Sequence, residues 1–90
     1  MGIAILKIKI MPESPDSDLK KIESEAKKII EKEKGNNLRI EIEPIAFGLN
    51  AVILTFTREE TLDSDEIVEK LRKIKHVNSA EVIDFRRAIG

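Results

Sequence analysis

Cysteine, tryptophan and tyrosine are absent from this chain, and histidine occurs once. The missing cysteine excludes disulfides, thiolate metal sites and cysteine nucleophiles together. The single histidine, His76, excludes a His–His zinc pair and a His-based metal triad. The four glycines, Gly2, Gly35, Gly48 and Gly90, are isolated, so no glycine-rich phosphate loop exists. No sign of charge dominates either. Sixteen Lys+Arg against seventeen Asp+Glu leave a formal charge of −1, which gives no whole-chain field toward nucleic acid or an anionic membrane. Long hydrophobic runs are missing as well. The opening Ile3-Ala4-Ile5-Leu6 is broken by Lys7 and Lys9, too short and too charged for a signal peptide or a membrane span. Leu6 stands where N-myristoylation would need Ser or Thr. The cytoplasm is the expected compartment. The 90 residues are expected to form one domain, 1–90, with one modest core.

What is present is periodicity. Ile3 to Met11 alternates, with Leu6, Ile8 and Ile10 against Lys7 and Lys9, which predicts a half-buried strand ended by Pro12. Ser14-Pro15 reads as an N-cap followed by proline in the first turn, with Asp16 and Asp18 complementing the helix dipole. Leu19, Ile22, Ala26, Ile29 and Ile30 then recur at spacings of three and four, one apolar stripe on a Lys/Glu helix that Gly35 stops. Leu38 to Ile45 alternates again. Leu49 to Thr57 is apolar on both faces, which predicts a strand in the middle of a sheet with Phe56 toward the core. Asp63 and Glu66 suggest a capping box ahead of a second helix with its stripe at Ile67, Val68, Leu71 and Ile74. His76 to Ser79 reads as a turn, Ala80 to Phe85 as the last strand, and Arg86-Arg87-Ala88-Ile89-Gly90 as a short basic tail.

The order β-α-β-β-α-β predicts an α+β, ferredoxin-like sandwich: a four-stranded antiparallel sheet with two helices on one face. Within it, Pro44-Ile45-Ala46-Phe47-Gly48-Leu49 stands out. Proline and glycine bracket an aromatic where the chain must reverse, in a protein with only three Phe. Phe47 is either a lid folded over one end of the core or an anchor offered to a partner protein. The chemistry elsewhere is sparse. Serines sit where caps and turns explain them, and carboxylates interleave with lysines as on a solvated surface. Glu13, Asp16 and Asp18 cluster ahead of the first helix, but capping explains them better than a metal does. No catalytic residue, cofactor or metal site is expected, and the protein is read as a non-enzyme. An RNA-recognition role needs aromatics on the central strands, and the first strand has none. A regulatory or small-ligand-binding domain that dimerises through its sheet is the other alternative.

Three runs taken together carry a resemblance over essentially the whole chain. They are Lys9-Ile10-Met11-Pro12-Glu13-Ser14-Pro15-Asp16, Glu43-Pro44-Ile45-Ala46-Phe47-Gly48-Leu49 and Val82-Ile83-Asp84-Phe85-Arg86-Arg87. In order and in length the chain resembles the archaeal elongation factor 1-beta family, which is similar to the C-terminal domain of a eukaryotic guanine nucleotide exchange factor. The resemblance implies a GTPase partner, elongation factor 1-alpha, with no membrane, no direct nucleic-acid contact and a monomer when free. It implies partner contacts at Pro44, Ile45, Ala46, Phe47, Gly48 and Leu49, with Phe47 as the wedge, and places Arg86 and Arg87 as candidate contacts to acidic groups or a phosphate on the partner. The eukaryotic factor has a lysine beside its C-terminal residue that is thought to intrude on the magnesium site. Here Ala88-Ile89-Gly90 supplies none, and a guanidinium does not replace a compact ammonium.

Overall fold

A computed structural model describes residues 2–88; Met1, Ile89 and Gly90 lie outside the described residues, as does the side chain of Ala88. The alternation of the first segment forms strand β1, Ile3–Pro12, and burial follows the parity of its side chains: Ala4, Leu6, Ile8 and Ile10 are buried. Helix α1, Leu19–Lys32, follows, then β2, Asn36–Pro44, β3, Asn50–Glu59, helix α2, Asp65–Arg72, and β4, Val77–Ala88. The sheet order is β2-β3-β1-β4 with every neighbouring pair antiparallel, which is the ferredoxin-like arrangement. Leu6, Ile8, Ile10, Val52, Leu54 and Phe56 face Ile22, Ala26 and Ile30 of α1 and Ile67 and Leu71 of α2 in one core. Each of these side chains larger than alanine contributes about 1.5–3 kcal/mol by leaving water. β3 is central and greasy on both sides: Ile53 on the face away from the helices is only 3% exposed. No helix among the described residues is long and apolar enough to cross a membrane.

Several local expectations change. Ser14 does not cap α1. Residues 13–17 form a turn in which the Ser14 N–H donates to Ser17 Oγ at 3.2 Å. Asp18 is the N-cap, its Oδ1 accepting the Lys21 N–H at 3.2 Å, and the first turn carries no acid. An Asp immediately before the apolar stripe outcompetes the Ser-Pro pair because its carboxylate reaches the third helical N–H without delaying the stripe. The predicted capping box is half made. Asp63 Oδ1 accepts the Asp65 N–H at 2.9 Å, but Glu66 turns along the helix to Lys70 at 3.5 Å.

Gly35 acts differently from a helix stop. The residue in the left-handed region is Lys34, φ 66°, while the Gly35 N–H donates to Ile30 O at 2.8 Å and the Lys34 N–H to Glu31 O at 3.3 Å. These two bonds are a Schellman cap with a lysine where glycine is usual. Gly35 is required for space: a Cβ there would lie 2.4 Å from Ile30 Cγ2 and 3.1 Å from Phe56 Cδ2. Gly35→Ala is therefore expected to destabilise by about 1–3 kcal/mol through overpacking. Lys34→Gly is expected to stabilise by about 0.5–1 kcal/mol by removing the left-handed penalty. Urea unfolding midpoints moving in the same direction for both would refute this division of roles.

β4 also runs beyond expectation. Arg86 and Arg87 pair with Ile5 and Ala4 of β1, so they belong to the strand and not to a tail. Without them the backbone of 3–5 would lack ladder partners on that side. Two register shifts, between Lys7 and Ile8 and between Met11 and Pro12, leave Ile83 and Asn78 as extra residues on β4.

Candidate functional site at the hairpin tip

The β2–β3 connection builds the site. Pro44 pairs with Asn50, and inside that pair the Ile45 N–H donates to Leu49 O at 2.7 Å, closing a small loop. Ala46–Gly48 forms one short turn in which Phe47 has φ 65° and ψ 29° and Gly48 has φ 75°. Two consecutive left-handed residues reverse the chain sharply, and for the non-glycine one this costs roughly 1–2 kcal/mol. Burial does not offset that cost, because Phe47 is 93% exposed. The lid reading is therefore excluded: the ring points into solvent. Ile45 and Leu49 are half-buried at its base, while Pro44, Ala46 and Gly48 are exposed. From Pro44 to Thr57 the chain carries no charged side chain, so the tip is an uncharged, apolar projection. A non-glycine residue held in a strained conformation at full exposure is the pattern expected of a recognition element.

Two further connections lie at the same end. A Cβ on Gly48 would sit 4.0 Å from Pro15 Cβ and Cγ, which places Pro15 of the 13–18 loop beside the hairpin turn. The same loop reaches the α2–β4 turn, where the Glu13 N–H donates to His76 O at 2.9 Å. His76, φ 71°, is an exposed turn residue whose Nδ1 lies 3.5 Å from Glu13 Oε1.

The structure brings Pro44, Ile45, Ala46, Phe47, Gly48 and Leu49 together and leaves Arg86 and Arg87 far from them. Asn50 pairs with Pro44 and Thr57 is in line with Ile5 and Arg86, so the two sites are separated by most of the length of β3, on the order of 20 Å at about 3.3 Å per residue. Arg86 Nε lies 3.0 Å from Asp84 Oδ2 and Arg87 Nε 3.1 Å from Glu60 Oε2. On the open face of the sheet, Lys7 and Lys9 have no aromatic beside them. Phe56 is buried on the helix side, and Phe85 pairs with Leu6 and so shares that side. Among the described residues no group of three or more His, Asp or Glu side chains is placed to hold a metal ion.

Sequence reasoning missed Arg58, the one charged residue buried among the described residues, at 5% exposure. Its Nε donates to Glu33 O at 2.8 Å and its Nη1 to Asp63 O at 3.1 Å, with Nη2 3.6 Å from Glu33 Oε1. The signal was available in the parity of Val52, Leu54, Phe56 and Arg58, which share the helix side of β3. Lys70 donates to the other oxygen of Glu33. That hydrogen bond chiefly holds the Lys70 ammonium above its ordinary pKa of 10.5. A raised folded-state value contributes stability that is complete below 10.5 and is lost as pH climbs through the folded value. Unfolding by urea is therefore expected to become easier with rising alkalinity in the parent and less so in Lys70→Met; equal pH dependence would remove this role.

The model of the EF-1 guanine nucleotide exchange domain matches residues 5–88. Elongation factor 1-beta of Nanoarchaeum equitans is 35% identical over 82 residues, 90% of this chain and 100% of the relative. The Pyrococcus horikoshii protein of that name is 42% identical over 77 residues, covering 83% and 84%. That of Methanobrevibacter smithii is 40% identical over 88 residues, covering 97% and 98%. Among solved structures, the ACT domain of a GTP pyrophosphokinase from Chlorobium tepidum superposes with a TM-score of 0.62 at 22% identity, over 88% of this chain and 96% of that one. At that identity the likeness is one of fold. The family match runs from β1 to the end of β4 and takes in the hairpin: the chain belongs to the elongation factor 1-beta family of guanine nucleotide exchange domains.

Proposed function

We propose that this protein promotes GDP-to-GTP exchange on elongation factor 1-alpha, the GTPase that carries aminoacyl-tRNA, with the Phe47 hairpin as the wedge. The observation that carries the reading is the full exposure of Phe47 on a strained, uncharged tip. Exchange needs no bond chemistry. A GTPase holds GDP through its phosphate loop, Mg²⁺ and switch segments. A partner shifts that equilibrium only by binding the nucleotide-free state more tightly than the GDP-bound state. Burying one Phe only in the open state would supply about 1.5–3 kcal/mol, and each 1.4 kcal/mol weakens GDP binding about tenfold. Ile45 and Leu49 fix the direction of the ring, and Pro44, Ala46 and Gly48 shape the contact around it. Arg86 and Arg87 form a second, salt-sensitive contact with acidic groups or a phosphate at the far end of the domain. The whole chain acts as one domain, a cytoplasmic monomer until it meets the GTPase, without cofactor and without direct contact to nucleic acid.

The test is release of a fluorescent GDP analogue from the GTPase. Substoichiometric protein is expected to accelerate release, and no acceleration at saturating concentration would overturn the proposal.

A further inference from the structure

The chain from Lys70 to His76 reads Lys-Leu-Arg-Lys-Ile-Lys-His, with no carboxylate. Two of its cations are neutralised locally, Lys70 by Glu33 and Glu66 and Arg72 by Glu69. Lys73 and Lys75 are not. With Lys21 from the first turn of α1 they line a cavity of about 270 Å³ whose remaining walls are Ile74 and Glu25. All three lysines are exposed, and among the described residues none of them makes an ion pair. Glu25, the carboxylate at the rim, lies 3.8 Å from Lys28. Three ammonium groups against one carboxylate, itself paired with Lys28, leave this concavity with an excess of positive charge in a chain whose formal charge is −1.

We infer that this cavity receives the carboxylates of an acidic segment on the protein that docks against the hairpin; the partner's identity rests on the exchange reading above. Position supports it. Pro15 of the 13–18 loop lies beside Gly48, and Glu13 of the same loop bonds His76 in the α2–β4 turn, so the cavity and Phe47 belong to the same end of the molecule. A protein seated on the ring extends over both. Chemistry supports a carboxylate occupant. The cavity presents ammonium groups, without the guanidinium fork that favours phosphate and without an aromatic for base stacking. Ile74 and the lysine stems offer an apolar floor for the methylenes of glutamate.

Isotope-labelled full-length protein titrated with a hexaglutamate peptide is expected to show amide shifts confined to Lys21, Glu25 and 73–75. Those shifts should shrink with added salt and vanish in a K21Q/K73Q/K75Q variant whose spectrum is otherwise unchanged. No shifts, or shifts spread over lysines elsewhere, would overturn the inference, as would tighter binding of single-stranded RNA than of the peptide at the same residues. In the nucleotide-release assay the triple variant is expected to raise the half-saturating concentration about tenfold at low salt, with the rate at saturation unchanged. An unchanged half-saturating concentration, with the parent active, refutes the partner assignment. A parent that does not accelerate release defeats the exchange reading alone, and the peptide titration still decides the cavity.

Discussion

Phe47→Ala is expected to lower the efficiency of nucleotide release about thirtyfold or more while leaving the thermal midpoint within about 2–4 °C of the parent. The two halves of that expectation have separate causes. The ring is 93% exposed, so its removal takes away no core contact, and surface changes of that kind stay within about 0.5 kcal/mol. Alanine inherits the same left-handed backbone, so the strain is unchanged as well. Against the partner, a central aromatic anchor is worth about 2 kcal/mol or more, which is the thirtyfold. Phe47→Gly separates strain from recognition. Glycine relieves the backbone at φ 65° and is expected to be the more stable of the two variants, yet equally poor in release. Parental release by Phe47→Ala at every concentration would remove the wedge, even if exchange itself stands.

Arg58→Ala is expected to have the opposite profile: a loss of about 2–4 kcal/mol, or on the order of 10–20 °C in midpoint, with release per folded molecule near normal. The guanidinium closes the end of the core far from the hairpin, bridging the C-terminal cap of α1 at Glu33 to Asp63, two residues ahead of α2. Its removal orphans two carbonyls and leaves the Glu33 carboxylate, which is largely buried, with Lys70 alone. Arg58→Lys keeps the charge but not the fork, since one ammonium does not reach both carbonyls at the angles a planar group allows, and it is expected to recover less than half the loss. Equilibrium unfolding of the three proteins decides the matter; an Ala variant within about 1 kcal/mol of the parent would show that the bridge adds little.

Strand parity and helix stripes made the frame legible in the amino-acid order. Leu6, Ile8 and Ile10, and likewise Ile22, Ala26 and Ile30, are buried where period two and period 3.6 put them. The turn at Phe47 was legible too, because Pro44 and Gly48 leave the backbone little choice. The direction of its ring was not, since what covers a loop tip depends on distant neighbours. The same limit hid Arg58, whose partners are carbonyls from 33 and 63, and the strand pairing of Arg86 and Arg87, which is imposed by the open edge of β1. Cap details failed for a local reason. Ser14, Asp18 and Glu66 each had more than one backbone or side-chain partner within reach, and small differences in geometry chose between them.

Strand β4 forms one of the two outer boundaries of the sheet, with Val82, Ile83 and Phe85 partly open to water. Left straight, such a boundary would be a template for fibrous growth. The extra residues Asn78 and Ile83 divide it into runs 79–82 and 84–88, each shorter than the roughly six or seven residues a steric zipper uses. The second run also carries Arg86 and Arg87. Those kinks interrupt the row of open N–H and C=O groups that a second strand would need to extend the sheet past its apolar flank.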